Sequence, residues 1–189
     1  VSRPVRSTER VDLASLAMFA VGAALLLTRL WLPAFGGSGR AAGLAVVPVA
    51  ILAGSLLVPA PGRRARLHPP VVLAIGLVAI ALAVAAGGRP VPTSYAAWAL
   101  PLTVLAALAE EALFRRAAYG ALEPHGAAVA VGVTALLFAL IHVPLYGVAV
   151  FPVDLGAGLM LSWQRWASGT WALPAATHSA ANVLMTVMR

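Results

Sequence analysis

Long apolar runs alternate along this chain with short breaks rich in glycine, proline and arginine. The first run, residues 13–28, follows a polar start carrying Arg3, Arg6 and Arg10. It is long for the apolar part of a signal peptide and lacks a clear small-x-small cleavage site, so it reads as an uncleaved span. A Gly/Pro loop over 30–40, with Trp31 as an interfacial anchor, leads to a second span at 41–58. The break at 59–70 carries Arg63, Arg64 and Arg66, and a third span covers 71–86 before Gly87-Gly88-Arg89-Pro90. A fourth begins near Tyr95 or Trp98 and stops at Glu123-Pro124-His125-Gly126. The fifth covers 127–143, the sixth 148–163 after a turn at 144–147, and the seventh 170–188 after a polar break at 164–169. A bilayer is crossed by about 17–25 helical residues. The pattern therefore predicts an all-α, polytopic membrane bundle of about seven transmembrane helices.

Composition supports the same class. The chain is 61% hydrophobic and 10% charged, where a soluble domain is nearer ~45–50% apolar and ~25% charged. No polar stretch is long enough for a separate soluble domain. Cysteine is absent, which excludes disulfides, thiolate nucleophiles and cysteine-bound metals. The net charge of +7 is carried by arginine alone among the basic residues and lies mostly between spans. It reads as topology signal and contact with anionic lipids, not as a nucleic-acid footprint. With the amino terminus inside, Arg3, Arg6, Arg10, Arg63, Arg64, Arg66 and Arg165 fall on the cytoplasmic side and Arg29, Arg40, Arg89 and Arg189 on the other. The bias favours a cell-membrane protein, of bacterial type, with its amino terminus in the cytoplasm.

Against that background a few polar residues stand where they are expensive. Glu110-Glu111-Ala112-Leu113-Phe114-Arg115 places two carboxylates and an arginine inside an apolar run. An intramembrane ionisable group costs roughly 2.5–3.5 kcal/mol on translocon scales, which marks it as functional by default. Glu111 and Arg115, four apart on a helix, share a face and can pair, while Glu110 projects about 100° away. His142 lies deep in the fifth span, His178 and Asn182 share a face of the seventh, and Asp154 lies in the sixth. Counted from the breaks on one side of the membrane at 1.5 Å per residue, Glu110 lies roughly 21 Å in, His142 roughly 24 Å, Asn182 roughly 20 Å and His178 roughly 14 Å. These groups can therefore meet in one layer. There they allow two chemistries. Glu110 can act as a general base on water that His142 orients, with His178 and Asn182 holding an oxyanion. Alternatively Glu110, His142 and His178 can bind a divalent metal such as zinc with one open position.

The same residues resemble the CPBP intramembrane proteases, the CAAX proteases and bacteriocin-processing enzymes also called the Abi family. That family's pattern is EExxxR, FxxxH and HxxxN on successive helices. Here it reads Glu110-Glu111-x-x-x-Arg115, Phe138-x-x-x-His142 and His178-x-x-x-Asn182, with Ser168-Gly169-Thr170-Trp171 leading into the last motif. Arg116 departs from the glycine common in relatives. The resemblance divides the chain into an amino-terminal set of about three spans (1–99) without motifs and a core of about four spans (100–189). It implies a glutamate-dependent peptide hydrolase of the type II CAAX prenyl endopeptidase kind, acting on a membrane-associated or exported peptide. Glu110 and His142 would activate water, His178 and Asn182 would form the oxyanion hole, and Glu111, Arg115 and Phe138 would support them. No cofactor is implied; a metal-dependent protease ranks second. Asp154 has no role in the pattern. A non-catalytic scaffold or bacteriocin-immunity protein, and a proton-relay transporter, are the readings from other classes. Gly156 and Gly158 are expected to let the sixth helix pack closely.

Overall fold

In the computed structural model, which describes residues 13–34, 37–59, 63–86 and 99–187, the apolar runs form helices, and no strand occurs among those residues. Helix α1 (Leu13–Leu27) ends in short 3-10 turns at Thr28–Leu30 and Leu32–Ala34; α2 is Gly37–Leu57 and α3 Pro69–Ala86. Helix α4 (Ala99–Glu111), a π-helical segment (Ala112–Ala118) and α5 (Tyr119–Leu122) run on as one rod, closed by a turn at Glu123–His125. Then follow α6 (Ala127–Tyr146), a turn at Val148–Val150, α7 (Phe151–Ser168) and α8 (Ala172–Val187). With the α4–π–α5 rod taken once, seven helices stand among the described residues. Leu13–Leu30 and Ala127–Tyr146 are long and apolar enough to cross a membrane, and Ala42–Leu57 and Pro69–Ala85 are shorter apolar helices. Arg3, Arg6, Arg10, the break at Gly87-Gly88-Arg89-Pro90, the start expected near Tyr95 or Trp98, and Arg189 lie outside the described residues.

One break expected from the sequence is not a break. The polar residues at 164–168 continue α7 because their side chains turn inward. Gln164 Nε2 donates to Val72 O on α3 and Thr177 Oγ1 on α8, both at 3.0 Å. Arg165 Nε donates to the Arg115 carbonyl at 3.1 Å, and Ser168 Oγ to Gln164 O at 2.6 Å. Arg165, counted above among the loop charges, is thus an internal tie. The helix ends at Gly169, whose φ of 71° and whose Cβ direction, filled by the Arg63 carbonyl, both exclude a side chain.

The core is aromatic at its centre. Phe19, Phe114 and Phe138 meet edge to face, with ring centroids 5.5 and 5.3 Å apart, and Leu26, Ile51, Ala109 and Leu113 close around them. Helix α6 lies along α7; α8 packs on α4, α3 and α7; α1 and α2 pack on each other and on the π segment. At the α6–α7 seam a Cβ on Gly158 would stand 2.9 Å from Ala135 O and 3.0 Å from its Cα. The hydroxyls of Thr134 and Ser162 bond across the same seam at 2.9 Å. Small residues and side-chain hydroxyls of this kind join helices where lipid removes the hydrophobic drive between them. Gly158 meets the close-packing expectation; Gly156 does not, for nothing lies within 4 Å of its Cβ direction.

Arg116 has a structural use. Its Nε donates to Ser55 O at 2.9 Å, and its Nη2 to Leu56 O at 3.1 Å and Val58 O at 2.8 Å. These carbonyls belong to the last turn of α2 and its exit, where no intrahelical donor remains and where a cation is favourable. The outer faces are apolar: Leu13, Leu57, Val78, Leu82 and Val153 all point away from the protein.

Gly158→Val is expected to lower stability in detergent by about 1–3 kcal/mol through overpacking, while Gly156→Ala stays within about 0.5 kcal/mol; thermal unfolding of the two purified variants compares them. Arg116→Ala uncaps α2 and is expected to cost about 1–2 kcal/mol, read as a lower unfolding temperature.

Candidate active site

The site grows from two adjacent carboxylates on the last turn of α4. Successive helical residues point about 100° apart, so Glu110 and Glu111 face different neighbours. Both are buried.

Glu111 takes the inner position. Its Oε1 lies 3.2 Å from Nη1 of Arg115, one turn on, and both side chains are wholly inaccessible. A buried pair is tolerable only when other groups compensate both ions. Arg115 Nη2 donates to Gly158 O on α7 at 3.2 Å, and its guanidinium stands 4.6 Å over the Phe138 ring and 5.6 Å from that of Phe114. On the other side, His178 Nδ1 bonds Glu111 Oε1 at 2.9 Å. The carboxylate accepts, so Nδ1 carries the proton and Nε2 is turned outward.

That Nε2 points at the second carboxylate. Glu110 Oε2 lies 3.9 Å from His178 Nε2 and 3.8 Å from His142 Nε2. The His142 ring is fixed by its own helix: Nδ1 donates to the Phe138 carbonyl at 2.7 Å. The ring packs at a tilt on Phe138 (4.5 Å) and stacks on Tyr146 (5.7 Å), which lie four residues to either side on α6. In the neutral ring this leaves a lone pair on Nε2, facing Glu110. Phe138 touches His142, His178 (5.8 Å) and Arg115 at once, so it is the wall against which both imidazoles and the guanidinium are set.

The structure thus brings Glu110, Glu111, Arg115, Phe138, His142 and His178 together from α4, the π segment, α6 and α8. Asn182 is placed differently. It lies one turn beyond His178, and its Nδ2 donates to Thr103 O on α4 at 3.3 Å, not to the Glu110 carboxylate. Asp154, half-buried in the first turn of α7, lies within electrostatic range of Glu110, His142 and His178. Among the described residues no three His, Cys, Asp or Glu side chains are gathered as a metal-holding group.

Two features of the site carry no clear mark in the sequence. The first is Arg29, in the turn after α1: its Nη1 meets Glu110 Oε1 at 3.2 Å. Its signal in the sequence was an arginine at the very end of the first apolar run, where topology offered a sufficient reason for it. The second is the π segment that begins directly after Glu111, a form often found at functional sites. Nothing in the composition of Ala112–Ala118 announces it. The Arg165 bond to the Arg115 carbonyl ties it to α7.

Comparison with protein-family models matches residues 92–184 to the family described as Type II CAAX prenyl endopeptidase Rce1-like. No curated protein and no solved structure gave a match. The matched region holds both carboxylates, both histidines, Phe138, Arg115 and Asn182; α1 with Arg29, α2 and α3 precede it. Residues 92–184 are an Rce1-like type II CAAX prenyl endopeptidase family domain, and members of that family are membrane-embedded peptidases.

Proposed function

We propose that the protein is a glutamate-dependent intramembrane endopeptidase that hydrolyses a peptide bond in a membrane-associated or exported peptide. The observation that carries the reading is the approach of His142 Nε2 and His178 Nε2 to one oxygen of Glu110, at 3.8 and 3.9 Å. The first gap is too long for a direct hydrogen bond. It suits a water about 2.8 Å from each of two acceptors, which would take both of its protons and leave its lone pairs free for attack. Glu110 Oε2 removes one proton as the water oxygen bonds to the substrate carbonyl carbon, and His142 orients the water through its second proton. The carbonyl becomes an oxyanion facing His178 Nε2. For that nitrogen to donate while Nδ1 donates to Glu111, the ring carries both protons, with Glu111 as its counter-ion. The proton held by Glu110 then passes to the leaving amine as the C–N bond breaks. Asn182 joins His178 only when its amide leaves Thr103 O, which makes it the second donor to the oxyanion and not the first.

In this reading the seven helices cross the membrane, with the amino terminus in the cytoplasm. His142 lies near the end of α6 and Arg29 just past α1, so the cavity opens nearer the face of the 28–34 turns than that of the 123–126 loop. The partners are the peptide substrate and the surrounding lipid.

Protein termini in the membrane and secreted fractions of the host test the proposal, compared among a deletion strain, the deletion restored with wild type, and the deletion restored with Glu110→Gln. Termini that return with wild type alone are expected, since loss of a general base costs about 10²–10⁴-fold. Full restoration by the Gln variant at equal membrane abundance would end the proteolytic reading and leave a scaffold. Arg115→Met, which breaks the buried pair and leaves Glu111 with His178 alone, is expected to destabilise the protein by about 3–5 kcal/mol; unfolding and membrane yield measure it.

A further inference from the structure

We infer that Arg29, which lies outside the family-matched region, is a positioning residue for the Glu110 carboxylate. The inference rests on the proteolytic reading and adds a residue to its machinery. Glu110 has two oxygens with different neighbours: Oε1 is held by Arg29 Nη1 at 3.2 Å, and Oε2 faces the two imidazoles. Holding one oxygen fixes the rotation of the carboxylate and so the aim of the other. No second guanidinium among the described residues hydrogen-bonds Glu110. Arg115 serves Glu111 and Gly158 O, Arg165 serves the Arg115 carbonyl, and Arg116 caps α2. Conversely, Glu110 is the single hydrogen-bond partner of the Arg29 side chain among the described residues. The Glu110 side chain is 6% exposed and that of Arg29 23% exposed. Arg29 is therefore the arginine in direct contact with a carboxylate that is otherwise buried beside two imidazoles.

Each carboxylate has its own guanidinium: Arg29, in the turn after α1, meets Glu110, and Arg115, on the glutamates' own rod, meets Glu111. A family domain cut at residue 92 would keep one of the two. The amino-terminal helix is in this sense part of the active site.

The test is kinetic. An internally quenched peptide carrying the cleavage site mapped for wild type is assayed with wild type, Arg29→Met and Arg29→Lys, all full-length in detergent, with thermal unfolding alongside. Expected is a fall in kcat of about 10²-fold for Arg29→Met, the scale of a misplaced catalytic group, with KM nearly unchanged and unfolding within a few degrees of wild type. Arg29→Lys is expected to recover most of the kcat. An unchanged kcat in Arg29→Met, a loss carried by KM alone, a Lys variant no better than Met, or a Met variant that no longer folds would each overturn the assignment. Wild type that cleaves nothing would overturn the proteolytic reading together with this inference, whereas active wild type with an unchanged Met variant overturns this inference alone.

Discussion

The ion pair between Glu111 and Arg115 is the constraint to which the rest of the molecule answers. Both side chains are wholly inaccessible, and a pair of ions removed from water loses several kcal/mol of hydration each. That loss is tolerable only where every surrounding group contributes. Arg115 therefore needs the carbonyl of Gly158, the ring of Phe138 and a close α6–α7 approach. A side chain at 158 would hold the two helices apart at Ala135. Glu111 in turn needs a donor from α8, and His178 is that donor.

From this pair the orientation of the reactive groups follows. Because Nδ1 of His178 is bound to Glu111, its Nε2 has one direction left, toward Glu110. Because Nδ1 of His142 is bound to its own helix, its Nε2 is left facing the same oxygen. Phe138 separates and supports the two rings. The inner carboxylate is thus held in a buried ion pair and the outer one faces two imidazoles, although the two are adjacent in sequence and chemically identical. Their difference lies in their partners.

The rod that carries both carboxylates is also where the helix changes form. The π segment starts after Glu111, and its Arg115 carbonyl is bonded by Arg165, while Arg115 itself reaches back to α7. This reciprocal exchange between two arginines and two backbone carbonyls anchors α7 to the segment. It also explains why the polar end of α7 is helical and buried. Arginine suits such places because its fork of donors can serve a carbonyl and an aromatic face together, as Arg165 does with Tyr119 at 5.1 Å.

Much of this was legible in the sequence, and the limit of legibility has a physical origin. Within one helix the spacing of residues determines their relative direction, so the pairing of Glu111 with Arg115 and the shared face of Phe138 and His142 could be read from four-residue intervals. The motif residues and the helical class were legible for the same reason, since apolar length and periodicity are local properties. Between helices no such rule applies, because the approach of two rods depends on which small residues let them close and at what angle. Only the tertiary structure decided that Glu110 pairs with Arg29 in the turn after α1, that Arg165 turns inward, and that the Asn182 amide rests on Thr103. Sequence determined which charges enter the apolar interior; packing determined which of them meet.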